Sequence, residues 1–515
     1  MPVSLHLANS FDAAWDGVIL PWFEQVAPRA FEQTAPVAVV TPFRSNAQLL
    51  RSKLLARGIS LLGVRFLVPG QLREFLLRDA ALKLPLREHL RLLLAIAAEE
   101  FAANTDSEES DSLIARAVAR DPDYFLRLFD ELGSADWEVA ELVQPALAEI
   151  AARFKKMCRD CGFAFVHEAD RRAAEDAAKL PPRFSQLLVS GFDGAHWPLW
   201  ALLHAAVKSS HEAVVVLNDP RDEARDIDET WIGTWEEILG EAEPVPEPHA
   251  KANRKVREND ELHKVHFLVG ADTTEQARAI VALTAKFLCD NNCERIGILF
   301  PQKGALPRLV ASFLRAAQIA HHDAIAHLTP SVFDDDAWRA WLELQENPQL
   351  KFLFQFVRAV NARIFDKTPV PKIEEKLRDA YSNVLIDNIE ILREVCARSE
   401  ETADIARAVE KIQFLPEVAT FSEFLRQTKS IFAEFGWKQR WSEVERLSRS
   451  WAERLPQNLS KENYLGWLRE ILTSPSLSRD DFGAHPYSRV HLLPYAEAES
   501  QSWSHLIFAG LNEEA

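Results

Sequence analysis

The stretch LLVSGFDGAHWPLWALLHAAV (residues 187–207) predicts a short apolar strand that ends at a Gly-Phe-Asp-Gly turn and passes directly into an amphipathic helix. In open α/β sheets, ligands bind at such corners, because the strand carboxyl ends and the helix amino ends converge there. This corner has one carboxylate, Asp193, and neither a lysine nor a glycine run that would wrap a phosphate. The sequence of this corner therefore predicts the backbone geometry of a ligand site but none of the groups that bind phosphate.

Further strand and helix cycles precede this corner. The strand VAVVT ends at Pro42 and leads into leucines at helical spacing, and residues 64–68 repeat the cycle. From about residue 82 to 180, the spacing of leucine, alanine and arginine predicts helices only. Since strands that alternate with helices favour a parallel sheet, we interpret residues 1–220 as one α/β domain with a helical insertion.

A second cycle of the same kind follows a change in composition. Residues 221–262 are first acidic and then proline-rich, which is typical of an interdomain linker. Strands are predicted in KVHFLVGAD and RIGILFP, a helical insertion at about 330–480, and strands again at 490–493 and 505–509. Residues 263–515 therefore form a second α/β domain. Because its last strand lacks the crossover that should cover it, we expect the natural chain to continue past residue 515.

Composition and charge limit the function classes. With 515 residues and 47% apolar content, the chain has room for several domains of about 150 residues. No apolar run approaches the roughly 20 residues of a membrane span, and no basic leader precedes an apolar stretch, so we expect a cytoplasmic protein without a membrane partner. The net charge of −18 excludes a basic surface on average, so DNA binding requires a local basic stripe.

The cysteines do not indicate a disulfide framework, because there are only five in the whole chain. Cys158 and Cys161 have CxxC spacing, and three residues separate Cys289 from Cys293. A zinc site on these four thiolates is one alternative. The pairs lie far apart in helix-like contexts without histidines at finger spacing, which favours buried free thiols. We therefore predict no metal site and no cofactor in this chain.

The tandem layout resembles superfamily-1 helicases of the UvrD and RecB kind. Segment by segment, it is similar to the AddB (RexB) subunit of bacterial helicase-nucleases, which belongs to the RecB-like PD-(D/E)XK nuclease family. VAVVTPFRSNAQLLRSKLLARG resembles that family's strand and helix after the nucleotide loop, and LLVSGFDGAHWPLWALL its segment at the Walker B position. RIGILFPQKGALPRLVASFLRAAQI resembles the opening of its second domain, and RVHLLPYAEAESQSWSHLIFAGLNE its GLNEG region. The resemblance implies two RecA-like (P-loop NTPase-type) parallel-sheet domains, each with a large helical insertion.

The sequence departs from this family at both halves of the nucleotide site. A phosphate loop needs glycines, a lysine and a Ser or Thr for magnesium, but VSLHLA leads into NSFDAAWDGVILPWFE, and the chain has no lysine before Lys53. The degenerate site consists of Asn9, Ser10 and Asp193. We interpret Asp193 as an N-cap or turn residue, and we expect no ATP hydrolysis here.

Two clusters are candidate DNA contacts. In the resembled superfamily, the loop after the second strand contacts single-stranded backbone, and Thr41, Arg44 and Asn46 occupy the matching positions. The alternative there is a helix cap beside a solvated arginine. The segment GWKQRW has the aromatic and basic content of a base-stacking surface, although tryptophans one turn apart also suit a core; its candidates are Trp437, Lys438, Arg440 and Trp441.

The resemblance also implies a function. No strand carries the Asp and Glu-x-Lys pattern of a PD-(D/E)XK nuclease, so no catalytic residue is predicted, and a magnesium-dependent nuclease domain would lie downstream of residue 515. We expect an ATPase-inactive helicase-like region of a double-strand-break repair and recombination protein. It would guide single-stranded or end-opened DNA from an AddA/RecB-like motor subunit to that nuclease.

Two rival functions stay open. An NTPase with a displaced site would need a lysine near a glycine loop, which the first strand-loop-helix lacks. A helicase-like protein-interaction scaffold without DNA binding is favoured by the net charge of −18.

Overall fold

The computed structural model describes most of the chain. The described residues are 2–80, 82–104, 109–137, 144–218, 226–246, 270–290, 293–325, 336–360, 412–472, 487–498 and 501–511, together with positions 375 and 394. The segment KVHFLVGAD, predicted as a strand, falls largely outside them.

Twelve strands are described, in chain order: β1 (Val3–Ala8), β2 (Val37–Val40), β3 (Val64–Leu67), β4 (Phe184–Ser190), β5 (Ser210–Asn218), β6 (Glu243–Pro244), β7 (Ile296–Phe300), β8 (His321–Asp323), β9 (Val418–Thr420), β10 (Asn458–Ser460), β11 (Val490–Pro494) and β12 (His505–Phe508). The strands predicted at 64–68, 490–493 and 505–509 are confirmed to within one residue at each end.

Helices fill most of the remaining described chain. The first nine are α1 (Phe11–Ala14), α2 (Leu20–Val26), α3 (Arg44–Ala56), α4 (Pro69–Leu76), α5 (Arg87–Asn104), α6 (Glu109–Arg120), α7 (Pro122–Ser134), α8 (Pro145–Asp160) and α9 (Val166–Ala177). The next nine are α10 (Trp200–Lys208), α11 (Asp226–Leu239), α12 (Thr273–Leu288), α13 (Ala305–Ala316), α14 (Asp336–Glu346), α15 (Leu350–Val360), α16 (Phe421–Glu434), α17 (Lys438–Ser448) and α18 (Lys461–Leu472). None of the helices in the described ranges is long and apolar enough to cross a membrane.

The protein is an α/β protein with two parallel sheets. The first sheet has six strands in the order β3-β2-β4-β5-β1-β6, and every neighbouring pair is parallel. The second has four parallel strands in the order β12-β7-β11-β8. Parallel strands are buried on both faces by crossover helices, which explains why β2 and β7 are buried along their whole length.

The two compact units of the molecule are not successive segments of the chain. One, which we call the sheet unit, contains residues 1–82, 166–328 and 477–515 and therefore holds both parallel sheets. The other, which we call the helical unit, contains residues 83–165 and 329–476. Most of the two predicted insertions thus forms a single unit with one hydrophobic core.

Helices cover both faces of the first sheet. On one face, the π-helical turn between α1 and α2, helix α2 and helix α3 bury Trp15, Phe23 and Leu50, respectively, against β2 and β4. On the other face, α10 contacts β4, β5, α4 and α9. The second sheet packs in the same way, with α12 and α13 burying apolar side chains such as Ile298 and Val310.

Two segments of this fold differ from the sequence prediction. Residues 226–239, inside the segment interpreted as a linker, form α11, and Glu243–Pro244 pairs with β1 as β6. The acidic residues at the start of α11 suit a helix N-terminus, where the helix dipole favours negative charge. Trp231 and Trp235 then anchor α11, both less than 5% exposed. The acidic residues that were interpreted as part of a linker therefore lie in the first turn of helix α11.

The second difference lies in the insertion predicted to be helical at about 330–480. It contains an antiparallel strand pair, β9 with β10, in which Ala419 lies opposite Leu459. Both strands are three residues long and lead directly into helices α16 and α18. A run of three residues is too short to show a period of two in the sequence.

A buried ion pair joins α4 to α9 inside the sheet unit. Arg73 Nε lies 2.5 Å from Asp170 Oδ1, and Arg73 Nη2 lies 2.8 Å from Oδ2, which is a bidentate geometry. The two side chains are 9% and 2% exposed. Because water cannot replace a lost partner at this depth, removal of one member leaves an uncompensated buried charge.

We expect Asp170→Ala to lower the free energy of unfolding by about 3–5 kcal/mol, measured by urea denaturation. Glu175→Ala in the same helix is the matched control, because Glu175 forms an exposed pair with Arg172; its effect should be at most about 1 kcal/mol. Equal effects of the two variants would contradict the assignment.

The helical unit encloses an unusual histidine. His89 is 4% exposed, and its ring lies 4.9 Å from that of Trp451 and 5.9 Å from that of Phe163. Neither ring nitrogen has a hydrogen-bond partner among the described residues. Burial lowers the pKa of His89 to about 4, so the ring is neutral in the folded protein. It is the only histidine in the sequence of this unit.

This burial predicts acid sensitivity of the helical unit. In the unfolded chain, a histidine has a pKa of about 6.5, whereas buried His89 is protonated only near pH 4. The contribution of neutral His89 to stability is therefore complete above pH 6.5 and is lost as the pH falls from 6.5 to about 4. Between pH 7 and about pH 5, the free energy of unfolding of His89→Phe should fall by about 2 kcal/mol less than that of the wild-type protein. Urea denaturation of both proteins at the two pH values measures this difference, and equal pH dependence would refute it.

Candidate functional site

The loop after β1 lacks the groups that would hold a phosphate. Asn9 is exposed, and the hydroxyl of Ser10 accepts a hydrogen bond from the Ala13 backbone N–H at 3.2 Å, which makes Ser10 the N-cap of α1. Gly17, the one glycine that follows, lies in a π-helical turn, Trp15–Ile19. A Cβ at Gly17 would approach Val245 Cγ1 to 2.5 Å, so this glycine allows close packing and does not wrap a ligand.

Aromatic side chains occupy the first turns after that loop. The rings of Phe11 and Trp15 stack at 6.4 Å, and Trp15 is 4% exposed. The ammonium of Lys53 lies 4.8 Å from the Phe11 ring centroid and 3.7 Å from Asp12 Oδ1. Lys53 is thus near the degenerate loop, but it is engaged with rings and a carboxylate, and no glycine-rich loop accompanies it.

The corner after β4 is closed by its own residues. Asp193 is the N-cap of a short 3₁₀ helix, Gly194–Leu199, and its carboxylate accepts from the Ala195 backbone N–H at 3.0 Å. Asp193 Oδ1 also lies 2.7 Å from His196 Nδ1. Trp200 packs edge-on against Trp231 and Trp235. The capping interpretation of Asp193 therefore agrees with its contacts.

The corner after β4 lies beside the turn after β2. Gly191 has a φ of +87°, and a Cβ there would lie 3.3 Å from Pro42 Cδ and 3.4 Å from Asn46 Nδ2. The rings of Phe43 and His196 are 5.7 Å apart. The structure thus brings the Asp193 corner together with the stretch that holds Thr41, Arg44 and Asn46.

Of these three predicted DNA contacts, only Arg44 is exposed. Thr41 is 1% exposed and donates its hydroxyl to the Phe43 carbonyl at 3.1 Å, which supports the turn before α3. Asn46 is 6% exposed, and its Oδ1 accepts from Gln501 Nε2 at 3.4 Å. Thr41 and Asn46 therefore position α3, whereas Arg44, its first residue, faces solvent.

The first turn of α3 contacts the second sheet, and we call this contact the seam. Arg295, just before β7, donates from Nη2 to the Ser45 carbonyl at 3.3 Å and from Nε to His491 Nε2 at 3.2 Å. Its guanidinium carbon lies 4.2 Å from the centroid of the Trp503 ring. Arg295 is 8% exposed, and its Nη1 has no hydrogen-bond partner in the described ranges.

Two histidines on neighbouring strands complete the seam. His322 of β8 lies opposite His491 of β11, with their rings 5.6 Å apart. Burial lowers the pKa of His322 to about 4; the positive charges of Arg295 and Arg44 contribute to this shift, and the carboxylate of Asp323 opposes it. Burial also places the pKa of His491 well below its usual range. Both rings are therefore neutral at physiological pH.

The chain after β11 also lies against α3. Gln501 donates from Nε2 to the Ser45 hydroxyl at 3.0 Å and to the Glu497 carbonyl. The carboxyl of Glu497 is partly buried, and burial raises its pKa to about 7. Groups with shifted pKa values cluster at functional sites, because ligand chemistry and burial act together there. The seam contains four of them: His322, His491, Arg295 and Glu497.

The second predicted DNA cluster lies in the helical unit. Trp437 packs against Trp338, Phe432 and Phe435, with ring distances of 5.8, 5.4 and 5.1 Å. The guanidinium of Arg440 covers the Trp437 ring at 5.0 Å, and Lys429 lies 5.5 Å from the Trp441 ring. Lys438 is exposed. Other side chains of this chain thus cover part of the Trp437 and Trp441 rings. This agrees with the alternative that these tryptophans belong to a core.

The cysteines of the described ranges are free thiols. Cys158, Cys161 and Cys293 are buried, and Cys289 is exposed. Burial raises the pKa of Cys161 to about 11, so it is a thiol and not a thiolate at neutral pH. No cluster of metal-binding side chains occurs in the described part of the chain.

Sequence reasoning did not find the residues from the second sheet. Arg295, His322, His491 and Gln501 lie far from α3 in the chain, and although three of them fall in segments quoted for the family resemblance, none was singled out as a site residue. The only local signal was a polar residue next to an apolar strand, as in RIGILF and RVHLLP, and such residues occur at the ends of most strands.

No protein-family model matches the chain. No curated protein sequence matches it significantly either. The resemblance to the AddB family therefore stays a prediction.

The positive φ of Gly191, at the corner after β4, can be tested by substitution. Gly191→Ala should destabilise the protein by about 1–3 kcal/mol, because an L side chain at φ +87° is strained and its Cβ would press on Pro42. Gly233→Ala is the control, since Gly233 lies inside α11 with open space at its Cβ position; it should stabilise by about 0.5–1 kcal/mol. Thermal unfolding of both variants measures the effects, and a neutral Gly191 variant would contradict the strain.

Proposed function

We propose that this chain is a helicase-like, ATPase-inactive region of an AddB-type DNA repair and recombination protein that guides DNA strands. The observation that carries the proposal is the first turn of α3, which presents exposed Arg44 at the carboxyl edge of the first sheet beside buried Arg295. Ligands of open parallel sheets bind at this edge. An arginine beside a helix N-terminus suits a backbone phosphate of single-stranded or end-opened DNA.

The architecture supports a tandem RecA-like identity as part of the same proposal. The helicase resemblance implies two parallel sheets, each interrupted in the chain by a helical insertion, and two parallel sheets are present. The order β3-β2-β4-β5-β1-β6 differs from the 3-2-1-4-5-6 and 2-1-3-4-5 orders of dinucleotide-binding and flavodoxin-like folds. The strand order therefore does not favour a dinucleotide or flavin cofactor site as the alternative to the helicase-like proposal.

The absence of ATPase activity is proposed from the two corners that should bind nucleotide. After β1, Ser10 caps a helix and the rings of Phe11 and Trp15 occupy the next turns. After β4, Asp193 is held by Ala195 and His196, which leaves it poorly placed to bind magnesium. Phosphoryl transfer needs a glycine-rich cradle, a lysine and a metal-binding carboxylate together.

The proposed role needs partners with the missing activities. An AddA/RecB-like motor subunit would open the duplex, and this chain would pass one strand to a magnesium-dependent nuclease domain downstream of residue 515. The net charge of −18 argues against a long basic track around the strand, so we propose a local contact at Arg44, the first residue of α3.

The proposal predicts salt-sensitive binding of single-stranded and forked DNA that does not depend on ATP. Arg44→Ala should weaken binding about fivefold and reduce the slope of log K against log salt by about one, because one phosphate contact is lost. Fluorescence anisotropy over a salt series measures both quantities.

Arg57→Ala is the matched control, because Arg57 is an exposed arginine at the opposite end of the same helix. It should leave affinity and slope unchanged. If the wild-type protein binds no DNA even at low salt, the DNA proposal is wrong. The protein-interaction scaffold, which the acidic net charge favours, then becomes the better explanation.

A further inference from the structure

Three large apolar side chains face solvent at the amino edge of the first sheet, where its strands begin. Phe31 lies in the 3₁₀ helix Ala27–Glu32 before β2, Leu55 in the last turn of α3, and Leu62 in the loop before β3. Their exposed fractions are 60%, 49% and 68%. A single exposed leucine is common in a soluble protein, but neighbouring apolar side chains that stay uncovered mark contact surfaces.

The backbone of the loop between α3 and β3 holds this region in place. A Cβ at Gly63 would lie 2.6 Å from the Phe31 backbone nitrogen, so the residue next to Leu62 packs directly against Phe31. At the other end of the loop, the Gly58 N–H donates to the Leu55 carbonyl at 3.0 Å. Because the backbone is already fixed, a partner that covers these side chains has little loop ordering to oppose its binding.

The chain around these side chains is basic, although the protein as a whole is acidic. Residues 33–73 contain six lysines and arginines and no aspartate or glutamate, whereas the net charge of the whole chain is −18. Two of the six cations are neutralised, Lys53 by Asp12 and Arg73 by Asp170. The segment therefore keeps an excess of positive charge.

Three exposed arginines border the apolar side chains. Arg29 lies two residues before Phe31, Arg57 is the C-cap residue of α3, and Arg65 lies in β3, the outermost strand of the first sheet. Within the described ranges, none of the three arginines forms an ion pair with a carboxylate. We call the three apolar side chains and these three arginines the amino-edge surface.

The composition of the amino-edge surface suits a protein segment better than a nucleic acid. Leucine side chains gain free energy when apolar groups cover them, and they offer no flat ring on which a base can stack. Protein interfaces combine an apolar centre with a polar rim and are enriched in arginine, whereas interfaces with DNA are more polar. The unpaired arginines favour a partner that carries negative charge.

We propose that the amino-edge surface is a docking site for an acidic segment of another protein that carries large apolar side chains. Those side chains would cover Leu62, Phe31 and Leu55, and the carboxylates of the segment would pair with the arginines. The site lies at the end of α3 opposite to Arg44. The proposal therefore does not depend on the proposed contact with DNA.

A display library of random peptides, selected on the whole chain, tests the chemistry of the partner. The enriched peptides should combine aspartate or glutamate with leucine, phenylalanine or tryptophan. Their affinity should fall as the salt concentration rises, because salt screens the exposed charges. Enrichment of peptides without acidic residues, or no enrichment at all, would overturn the proposal.

Variants then locate the binding of the enriched peptides, measured by fluorescence anisotropy. Leu62→Ser should weaken binding at least about fivefold, because an apolar anchor is lost, and Arg57→Ala about twofold to threefold. Leu62 is mostly exposed, so its substitution opens no cavity.

Ile238→Ser is the matched control and should leave the affinity for the peptides unchanged. Ile238 is 46% exposed on α11, which contacts β1, and three strands separate β1 from β3. Equal affinity of the peptides for the wild-type protein and for Leu62→Ser would refute the site.

Two further measurements distinguish other occupants of the surface. In sedimentation experiments, the wild-type protein should be monomeric; if it dimerises and Leu62→Ser does not, a second copy covers the surface and the proposal is wrong. If Arg57→Ala weakens binding of single-stranded DNA as much as Arg44→Ala, the arginines bind DNA and the proposal is also wrong. A protein that binds the peptides through Leu62 but binds no DNA keeps this site and loses only the proposed DNA function.

Discussion

The contact of Arg295 with the first turn of α3 is the constraint on which the arrangement of the sheet unit depends. It joins Arg295, the residue before β7, to Ser45 in the first turn of α3. Gln501 donates a second hydrogen bond to Ser45. Buried polar groups must find partners, so these bonds restrict how the second sheet can be placed against α3. The turn itself is held by Thr41, whose hydroxyl bonds the Phe43 carbonyl.

The seam differs chemically from the rest of the interior. Elsewhere in the sheet unit, the buried ion pair Arg73–Asp170 is complete, and the cores under both sheets are apolar. At the seam, a charged guanidinium lies beside the neutral ring of His491, which faces the neutral ring of His322. The carboxyl of Glu497, whose pKa burial raises to about 7, belongs to the segment that contacts α3 through Gln501. Local rules of packing are most often broken where a protein binds something.

The two corners of the first sheet show how a fold keeps its geometry while its ligand groups change. Parallel strands followed by helices create the convergence of strand ends and helix starts, whatever residues occupy it. After β1 and after β4, these positions hold caps and aromatic rings. Of the corners after β1, β2 and β4, the one after β2 combines a solvent-exposed arginine with a helix start that has no side-chain cap. The proposed function therefore concentrates on α3.

The sequence by itself determined the α/β class and most strand positions, because apolar runs ended by Pro or Gly depend only on neighbouring residues. It also determined the loss of phosphate-loop residues before Lys53 and the capping tendency of Asp193. Only the tertiary structure decided that helices from both insertions share one core, that Thr41 and Asn46 are buried, and that Arg295 reaches Ser45. These facts depend on contacts between residues hundreds of positions apart, which local periodicity does not encode.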